Sequence, residues 1–507
     1  MRLKPVIGLE THIQLKTKTK MFCGCSSHSE GAAPNTTICP ICTGHPGTLP
    51  VPNEQAINFA VLLGLALEGS ITPLSKFDRK NYFYPDLPKA YQISQFDLPI
   101  MTEGRMTINV PGEPEAVTIR IERMHLEEDA AKNIHGDDGK TYVDYNRGGT
   151  PLCEVVTGPD FTSSAQAKAY VQELRLLART LGISDADMER GHLRCDVNIS
   201  LREVDANDTP VSPLLSPKTE IKNINSFRHI ERAIAYEIER QTALWEAGMP
   251  PQITTTRGWN DVKQMTEEQR SKENSADYRY FPEPDIPPLE LSSIAREMRL
   301  KMPELPATKR TRLINEYGFK PEDAKQIVDD PALAEFAEAA LSELGAWLQA
   351  KPDISPEAMP EARAKLTKTF AGWLLNKLQG LLEERKTDIR VAKLTPENFA
   401  EFITMLADGN LTGAKGLEVL GKMLDDGGDP SQVTEELGAK RLDDVHALLE
   451  IVKTVVEENP KEAERYKAGE TKLTQFFVGQ VMKATKGNAD PEKTAKAIRD
   501  TLGGLEN

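Results

Sequence analysis

Alternating apolar and polar residues predict a β-strand near the start of the chain, in residues 6–15. The odd positions carry Ile, Leu, Thr, Ile and Leu, whereas Glu10, His12 and Gln14 occupy even positions. Successive side chains of a strand point to opposite faces, so these three polar side chains are predicted to share one face. The opposite face is expected to cover a core.

A helical period of three to four residues appears further along the chain. Ser163 and Gln166 form a capping-box pair ahead of one such stretch, and Gly182 is a typical residue just beyond a helix end. A second amphipathic stretch follows Ser226 and ends near Gly248. These two helices, set among strand-like segments, predict an α+β fold for this part of the chain.

The composition changes near the Pro-rich segment 281–288. Strand-like sequence, aromatic residues, Gly and Pro dominate before it, and Ala, Leu, Glu and Lys at helical spacing dominate after it. A polar junction at 387–395 divides the helical part. We therefore expect a cradle domain with a large mixed or antiparallel sheet (1–292), an all-α domain (293–392) and a small all-α tail (393–507).

The overall composition limits the class of protein. With 507 residues, of which 39% are hydrophobic and 27% charged, the chain has enough apolar residues for normal cores. It contains no apolar run of about 18 residues, and its start lacks a secretory signal pattern, so we expect a cytoplasmic protein without a membrane span. A net charge of −15 argues against a general nucleic-acid coat but leaves room for a local basic face.

Three segments contain candidate ligands for a hard divalent cation. Glu10 and His12 share a strand face, Glu128 lies in the acidic run after His125, and Glu154 interrupts an apolar strand. Carboxylates suit Mg²⁺, and Mn²⁺ also accepts imidazole. The alternatives are a solvated strand face for residues 10–14 and a solvated acidic turn for residues 127–129.

Four cysteines lie close together in the sequence. Cys23 and Cys25 form a C-x-C pair, and Cys39 and Cys42 form a C-x-x-C pair. This spacing favours a closed, structural zinc site, which would have no open position for catalysis. A redox pair or unligated thiols are the alternatives.

The segment 76–95 mixes aromatic and basic residues, whose aromatic faces could stack on a base and whose cations could meet phosphate. The candidates for substrate binding are Tyr82, Tyr84 and Tyr91. The polar face of the strand 196–202 suits a nucleotide, a second metal contact or solvent. The chain has neither a G-x-x-x-x-G-K-[ST] loop nor a G-x-G-x-x-G motif after a strand, so an ATP site would be of unusual design.

The end of the chain is rich in Lys and Arg, which could grip an RNA backbone or simply form a solvated face. The candidates for such backbone contacts are Lys467, Lys472, Lys483 and Lys486.

Several long strings resemble one known family. The strings lie at residues 6–12, 76–95, 125–129, 194–200 and 277–285. They resemble the B subunits of the aspartyl/glutamyl-tRNA amidotransferases. The resemblance extends over the whole chain, including the C-terminal unit, which is similar to the family's tRNA-binding tail. The resemblance implies an ATP-dependent carbon–nitrogen ligase that phosphorylates the side-chain carboxylate of Glu-tRNA(Gln) or Asp-tRNA(Asn). Ammonia, made from glutamine by the family's glutaminase partner (its A subunit), then displaces the phosphate, while a small C subunit braces the pair.

The same resemblance implies roles for individual residues. The metal site, for Mg²⁺ or Mn²⁺, matches His12, Glu128 and Glu154, with Glu10 beside it as a further catalytic residue. Asp196 is a candidate for a second metal contact. Lys80 matches a position near the nucleotide, and Asn198 is a second candidate for binding ATP. Zinc is present in only some members of the family and would be structural.

Two other functions remain open at this point. One is a non-catalytic, zinc-stabilised scaffold that binds tRNA while its partner performs the chemistry. In that case Glu10, His12, Glu128 and Glu154 would form an ordinary polar sheet face. The other is a metal-dependent phosphohydrolase of a small molecule, whose ATP turnover would not depend on RNA.

Overall fold

The computed structural model describes residues 2–272, 277–352, 354–439, 445–485 and 487–503. The chain divides into two compact units, an N-terminal unit (Met1–Leu305) and a C-terminal unit (Pro306–Asn507). The N-terminal unit contains the described strands, and the C-terminal unit is helical in its described residues. The predicted α+β class, with a large sheet followed by helices, is confirmed.

The described strands of the N-terminal unit are β1 (Arg2–Gln14), β2 (Ser70–Ile71), β3 (Leu74–Ser75), β4 (Asp78–Asn81), β5 (Tyr91–Ser94), β6 (Met101–Ile108), β7 (Val117–Glu128), β8 (Lys132–His135), β9 (Thr141–Asp144), β10 (Pro151–Thr157), β11 (Leu193–Val204), β12 (Thr219–Lys222), β13 (Thr254–Asn260), β14 (Met265–Lys272), β15 (Phe281–Pro282) and β16 (Leu289–Glu290). Nine of them form one sheet with the order β14-β13-β12-β11-β1-β10-β7-β6-β2. Only the β12–β13 pair is parallel among these neighbours. Smaller sheets contain β15-β4-β5, β16-β3 and β8-β9.

The central strand β1 separates a core from a polar face, as its alternation predicts. Ile7, Leu9 and Ile13 are buried in the main core, while His12 and Gln14 are only partly buried on the other face. The core lies between the sheet and three helices, α1 (Glu54–Ala66), α2 (Ser164–Thr180) and α3 (Phe227–Glu246). The polar face is thereby left free of these helices.

The predicted helix ends in this unit are confirmed. The Ser163 side chain accepts a hydrogen bond from the backbone N–H of Gln166, and Ser226 caps α3 in the same way. Gly182 and Gly248 follow the helix ends with φ of +68° and +72°, a conformation that costs other residues steric strain.

The described part of the C-terminal unit is a set of helices. The helices are α5 (Pro306–Tyr317), α6 (Pro321–Val328), α7 (Pro331–Gln349), α8 (Met359–Gly372), a π-helix (Trp373–Leu378), α9 (Gln379–Arg385), α10 (Pro396–Ala407), α11 (Gly413–Asp426), α12 (Pro430–Glu436), α13 (Val445–Glu458), α14 (Pro460–Lys467), a short 3₁₀ helix (Thr471–Leu473), α15 (Thr474–Ala484) and α16 (Pro491–Leu502). Apolar side chains of α13 to α16 form a core of their own.

Two packing contacts cross the predicted domain boundaries at 292 and 392. Helix α4 (Ser292–Leu300) follows the predicted boundary at 292, yet Ala295 and Met298 pack into the core of the N-terminal unit. In the C-terminal unit α10 packs on α7, across the predicted junction near 392. The division into three domains therefore stays a prediction.

Within the part of the chain that the structure describes, none of the helices combines the length and the apolar character that crossing a membrane requires.

Candidate functional site

Cross-strand pairing places four titratable side chains in one row on the polar face of the sheet. Opposite neighbours in an antiparallel pair point to the same face. His12 of β1 lies opposite Glu154 of β10 and opposite Arg194 of β11, and Glu154 lies opposite His125 of β7. Glu127, two residues beyond His125 on the same strand, also reaches this face. The His12 cluster is defined as His12, His125, Glu127 and Glu154.

The side chains of the His12 cluster are within contact distance of one another. His12 Nε2 lies 3.3 Å from Glu154 Oε2 and 3.6 Å from Glu127 Oε1. His125 Nε2 lies 3.4 Å from Glu154 Oε2 and 3.6 Å from Glu127 Oε2. Glu127 is only 3% exposed and Glu154 only 8%. These two carboxylates are therefore not part of a solvated strand face.

The two imidazoles keep the carboxylates ionised. Burial alone would raise the pKa of Glu154, but the charges and hydrogen bonds of His125 and His12 hold this pKa well below its ordinary value. The pKa of Glu127 is also lowered, because hydrogen bonding from His125 and the charge of Lys80 outweigh burial and repulsion by Glu154. The converse holds for His125, whose pKa rises to about 9 because the two carboxylates overcome the effect of burial.

The donor set fits a divalent cation. One ligand atom each from His12, Glu127 and Glu154 lies within 4.8 Å of the others. Two carboxylate oxygens and one imidazole nitrogen suit Mn²⁺, and Mg²⁺ through the carboxylates and water. His125 contacts both carboxylates, and its buried Nδ1 has no hydrogen-bond partner among the described residues.

Glu128, a predicted metal ligand, lies in different surroundings from the His12 cluster. Its carboxylate accepts hydrogen bonds from the Lys89 ammonium and, at 3.0 Å, from the backbone N–H of Ile93. It lines a cavity of about 210 Å³ on whose wall Cys23 and Cys42 also lie. Glu127, which sequence reasoning did not choose, lies beside His12 and Glu154 instead, because adjacent strand residues point to opposite faces. The role of Glu128 as a metal ligand stays a prediction.

Glu10, Asp196 and Asn198 form a second polar group on the same face. Asn198 Nδ2 donates to Glu10 Oε1 at 2.9 Å, and Lys222 Nζ donates to Asp196 Oδ2 at 2.8 Å. Lys222 also lies 2.9 Å from Glu220. Asp196 therefore already has a cationic partner and lies outside the His12–Glu127–Glu154 triad. Its role as a metal ligand stays a prediction.

Lys80 and the candidate tyrosines lie on or near the small sheet that packs beside β7. Lys80 Nζ is 5.1 Å from the centre of the Tyr278 ring and 5.9 Å from that of Tyr82. Burial would lower the pKa of Lys80, but the charges of Glu127 and other groups, Tyr280 among them, raise it. Lys80 therefore stays charged near the His12 cluster.

The three predicted substrate tyrosines have different environments. The Tyr82 hydroxyl donates to Gln92 Oε1 at 3.1 Å, and the Tyr91 ring packs against the Arg79 guanidinium at 4.4 Å. Tyr84 is 57% exposed. Tyr84 is thus the most accessible of the three for stacking on a ligand.

A polar cleft of about 890 Å³ adjoins the His12 cluster. Its wall includes Gln14, which follows His12 on the same strand face, and Arg194, the cross-strand partner of His12. Arg147 and Arg194 both contact the buried Asp129 carboxylate, at 3.5 and 2.6 Å. Sequence reasoning missed both arginines. Arg194 reaches the site through the pairing of β11 with β1, and Arg147 lies in the turn before β10.

The four clustered cysteines come together in space. One sulfur from each of Cys23, Cys25, Cys39 and Cys42 lies within 4.8 Å of the others, which fits a thiolate metal site. A hydrogen bond with Cys23 is the main cause that lowers the pKa of Cys42 to about 4, against the opposing effect of burial. We call this group the cysteine cluster. Cys153 and Cys195 are buried in the core.

The candidate tRNA contacts lie on the last helices. Lys467, Lys472 and Lys483 are exposed on α14, the 3₁₀ helix and α15. Lys486 lies outside the described residues.

Comparison with known proteins gives matches over most of the chain. Residues 5–297 match the family described as the GatB/GatE catalytic domain, and residues 357–502 match the GatB domain. The chain is 43% identical to the aspartyl/glutamyl-tRNA(Asn/Gln) amidotransferase B subunit of Thermotoga maritima, over 99% of this chain and 100% of that protein. It is 44% identical to the protein of the same name from Trichodesmium erythraeum, over 99% of this chain and 98% of that protein. The chain therefore belongs to the family of aspartyl/glutamyl-tRNA(Asn/Gln) amidotransferase B subunits.

Proposed function

We propose that the His12 cluster is the place where this chain, as part of the glutamine-dependent tRNA amidotransferase, activates the misacylated amino acid. The substrate is the side-chain carboxylate of Glu-tRNA(Gln) or Asp-tRNA(Asn). One of its oxygens attacks the γ-phosphorus of ATP, and ADP leaves. Ammonia then attacks the acyl carbon, phosphate leaves, and the amide remains on the tRNA. The burial of Glu127 and Glu154 beside two histidines carries the proposal.

His12, Glu127 and Glu154 would hold Mg²⁺ or Mn²⁺ in this site. When bound, the ion supplies positive charge that offsets the repulsion between an anionic acceptor and the phosphates of ATP. His125 contacts both carboxylates and fixes their orientation. Lys80 adds a fixed cation beside Glu127, which favours a role near the transferred phosphate.

The nucleotide and the acceptor end are assigned to opposite sides of the cluster. Asn198 and Glu10, with the neighbouring Asp196 and Lys222, are assigned to ATP. The polar cleft beside Arg194 is assigned to the aminoacylated acceptor end, because its arginines can meet phosphate oxygens. Tyr82, Tyr84 and Tyr91 remain the candidates for stacking on a base.

We also assign a structural zinc ion to the cysteine cluster and two partner subunits to the chain. Zinc would be held by four thiolates and would stabilise the loop that contains them, without taking part in the reaction. The glutaminase partner would supply ammonia, and the small third chain of the family, its C subunit, would complete the complex. Lys467, Lys472, Lys483 and Lys486 would contact the tRNA backbone.

Release of ADP by the reconstituted complex tests the assignment. With glutamine present, we expect wild-type ADP release to require misacylated tRNA and to fall at least ~100-fold in Glu154→Gln, since the variant lacks one ligand charge. Glu122→Gln, at an exposed position of β7, is the matched control and should behave as wild type.

The glutaminase activity of the partner serves as the folding control. Glu154→Gln should leave it intact, since that active site is assigned to another chain. ADP release that is independent of tRNA, or unchanged in Glu154→Gln, would move the chemistry away from this cluster.

A further inference from the structure

Lys20 is a fully buried lysine without a carboxylate partner among the described residues. Its exposed fraction is 0%. Its Nζ lies 3.8 Å from Cys42 Sγ and 3.4 Å from the Tyr145 carbonyl oxygen. Among the described residues, the Lys20 ammonium has no carboxylate oxygen within 4.0 Å. Lysine is rarely fully buried unless it is paired, because removing an ammonium from water is costly.

The cysteine cluster is the only group of opposite charge that the described contacts of Lys20 include. Zinc held by four thiolates leaves two excess negative charges in the cluster. An ammonium in contact with one sulfur offsets part of that charge and recovers part of its own cost of burial. The burial of Lys20 and the charge of the cluster therefore compensate each other.

We propose that Lys20 is the internal counter-ion of a zinc–thiolate cluster formed by Cys23, Cys25, Cys39 and Cys42. The inference rests on the zinc site included in the proposed function. Lys20 acts on the cluster through its contact with Cys42 and, like the zinc, takes no part in the reaction.

The backbone holds Lys20 at the cluster independently of its side chain. The Lys20 N–H donates to the Cys25 carbonyl at 2.9 Å, and the N–H of Met21 donates to the Gly149 carbonyl at 2.7 Å. The ammonium then joins the cysteine loop to Tyr145. The side chain of Asn146, the residue after Tyr145, donates to the Ala33 carbonyl at 2.7 Å. The side chains of Lys20 and Asn146 therefore both connect the turn at 145–146 to the loop that contains the cysteines.

Substitution by methionine separates a counter-ion from an ordinary packing residue. Methionine has a similar length but no charge. If Lys20 only filled space, Lys20→Met would leave the cluster unchanged or stabilise it, because a buried charge would be removed. If Lys20 offsets the thiolate charge, zinc should be held less firmly.

The test measures zinc in the purified three-subunit complex. Metal content is determined by mass spectrometry, and zinc transfer to an excess of the chromogenic chelator 4-(2-pyridylazo)resorcinol is followed with time. We expect wild type to contain one zinc per complex and Lys20→Met to release it ~10–100-fold faster, the usual effect of losing a partner of a metal ligand. Lys18→Met, at an exposed position two residues away, should release zinc at the wild-type rate.

Lys20→Gln distinguishes charge from hydrogen bonding and provides a polar substitute should Lys20→Met fail to fold. The amide can still donate to the Tyr145 carbonyl but carries no charge, so we expect fast release as well. The counter-ion role would be wrong if Lys20→Gln released zinc at the wild-type rate, whether or not Lys20→Met did so too.

If the wild-type complex contained no zinc, both the proposed zinc site and the counter-ion role of Lys20 would be wrong. That result would leave the carboxylate-activating role of the His12 cluster unaffected, because ADP release by Glu154→Gln tests that role separately.

Discussion

Glu127 and Glu128 are adjacent glutamates of β7 with different surroundings. Glu127 lies within 3.6 Å of His12 and His125, whereas Glu128 is held by Lys89 and the backbone of Ile93. Both are nearly fully buried, so exposure does not distinguish them. The contacts of Glu127 and Glu128 distinguish them. We therefore predict different effects on metal binding when each is substituted.

Glu127→Gln should weaken Mn²⁺ binding more than ~10-fold, because it removes a charged ligand from the triad. Glu128→Gln should leave the Mn²⁺ dissociation constant within about twofold of wild type, since its carboxylate faces Lys89. Titration of the purified complex with Mn²⁺, followed by the electron paramagnetic resonance signal of the free ion, measures both constants. Equal weakening in the two variants would contradict the assignment of Glu127 to the site.

A strand irregularity explains why sequence could not distinguish these glutamates. Before residue 122 the odd positions Ile119 and Ile121 face the core, whereas after it the even positions Met124 and Leu126 do. The pairing of β10 with β7 shifts at this point, so that Glu122 has no partner on β10. Because Glu122 is an extra residue in β7, the odd positions after it point to the face that the even positions occupied before it. His125 and Glu127 therefore lie on the polar face.

At the scale of elements, local signals predicted well and long-range pairing did not. The alternation of β1 and the caps at Ser163 and Ser226 depend on neighbouring residues and were confirmed. The position of β1 between β10 and β11 depends on residues more than 130 positions away. That pairing places Glu154 and Arg194 beside His12. The sequence could therefore indicate candidate residues, but it could not predict which of them lie together in space.

Helix α3 is fastened to the sheet edge by a buried carboxylate. Glu237 is 0% exposed and accepts hydrogen bonds from Arg240 Nε at 2.9 Å and from the Thr266 hydroxyl, and Arg257 Nε lies 3.3 Å away. Burial alone would raise the pKa of Glu237, but Arg240 and the hydrogen bonds lower it below its ordinary value. The ionised form is therefore the one that stabilises the folded chain.

Glu237→Gln should lower the free energy of unfolding by about 2–4 kcal/mol at pH 7.5, because it leaves the partly buried Arg240 and Arg257 without their counter-charge. A lowered folded-state pKa gives stability that is present above the unfolded value of about 4.3 and is lost as the pH falls through the folded value. The difference from wild type should therefore shrink below pH ~4. Urea unfolding followed by circular dichroism at several pH values measures it.

Glu239→Gln, on the exposed side of the same helix, is the control and should change stability by less than about 0.5 kcal/mol. A Glu237→Gln effect of constant size from pH 7.5 to pH 3.5 would show that packing, and not charge, fastens α3.

For the whole molecule, the net charge of −15 works against RNA binding, so contacts with tRNA must be local. Changing Lys467, Lys472 and Lys483 together to Ala should weaken tRNA binding and lower the slope of log affinity against log salt by about 2, since each phosphate contact contributes roughly 0.7–0.9. The Michaelis constant for ATP should not change. Filter binding of tRNA to the complex over a range of salt concentrations gives the slope.

A second triple variant separates local contact from net charge. Lys320, Lys365 and Lys368 are also exposed lysines of the C-terminal unit, and changing them to Ala alters the net charge by the same amount. If the last helices contact phosphates, only the first variant should lower the salt slope, because the slope counts the phosphates that are contacted. Equal losses of affinity in the two variants would instead indicate long-range electrostatics, and the assignment of tRNA to these helices would fail.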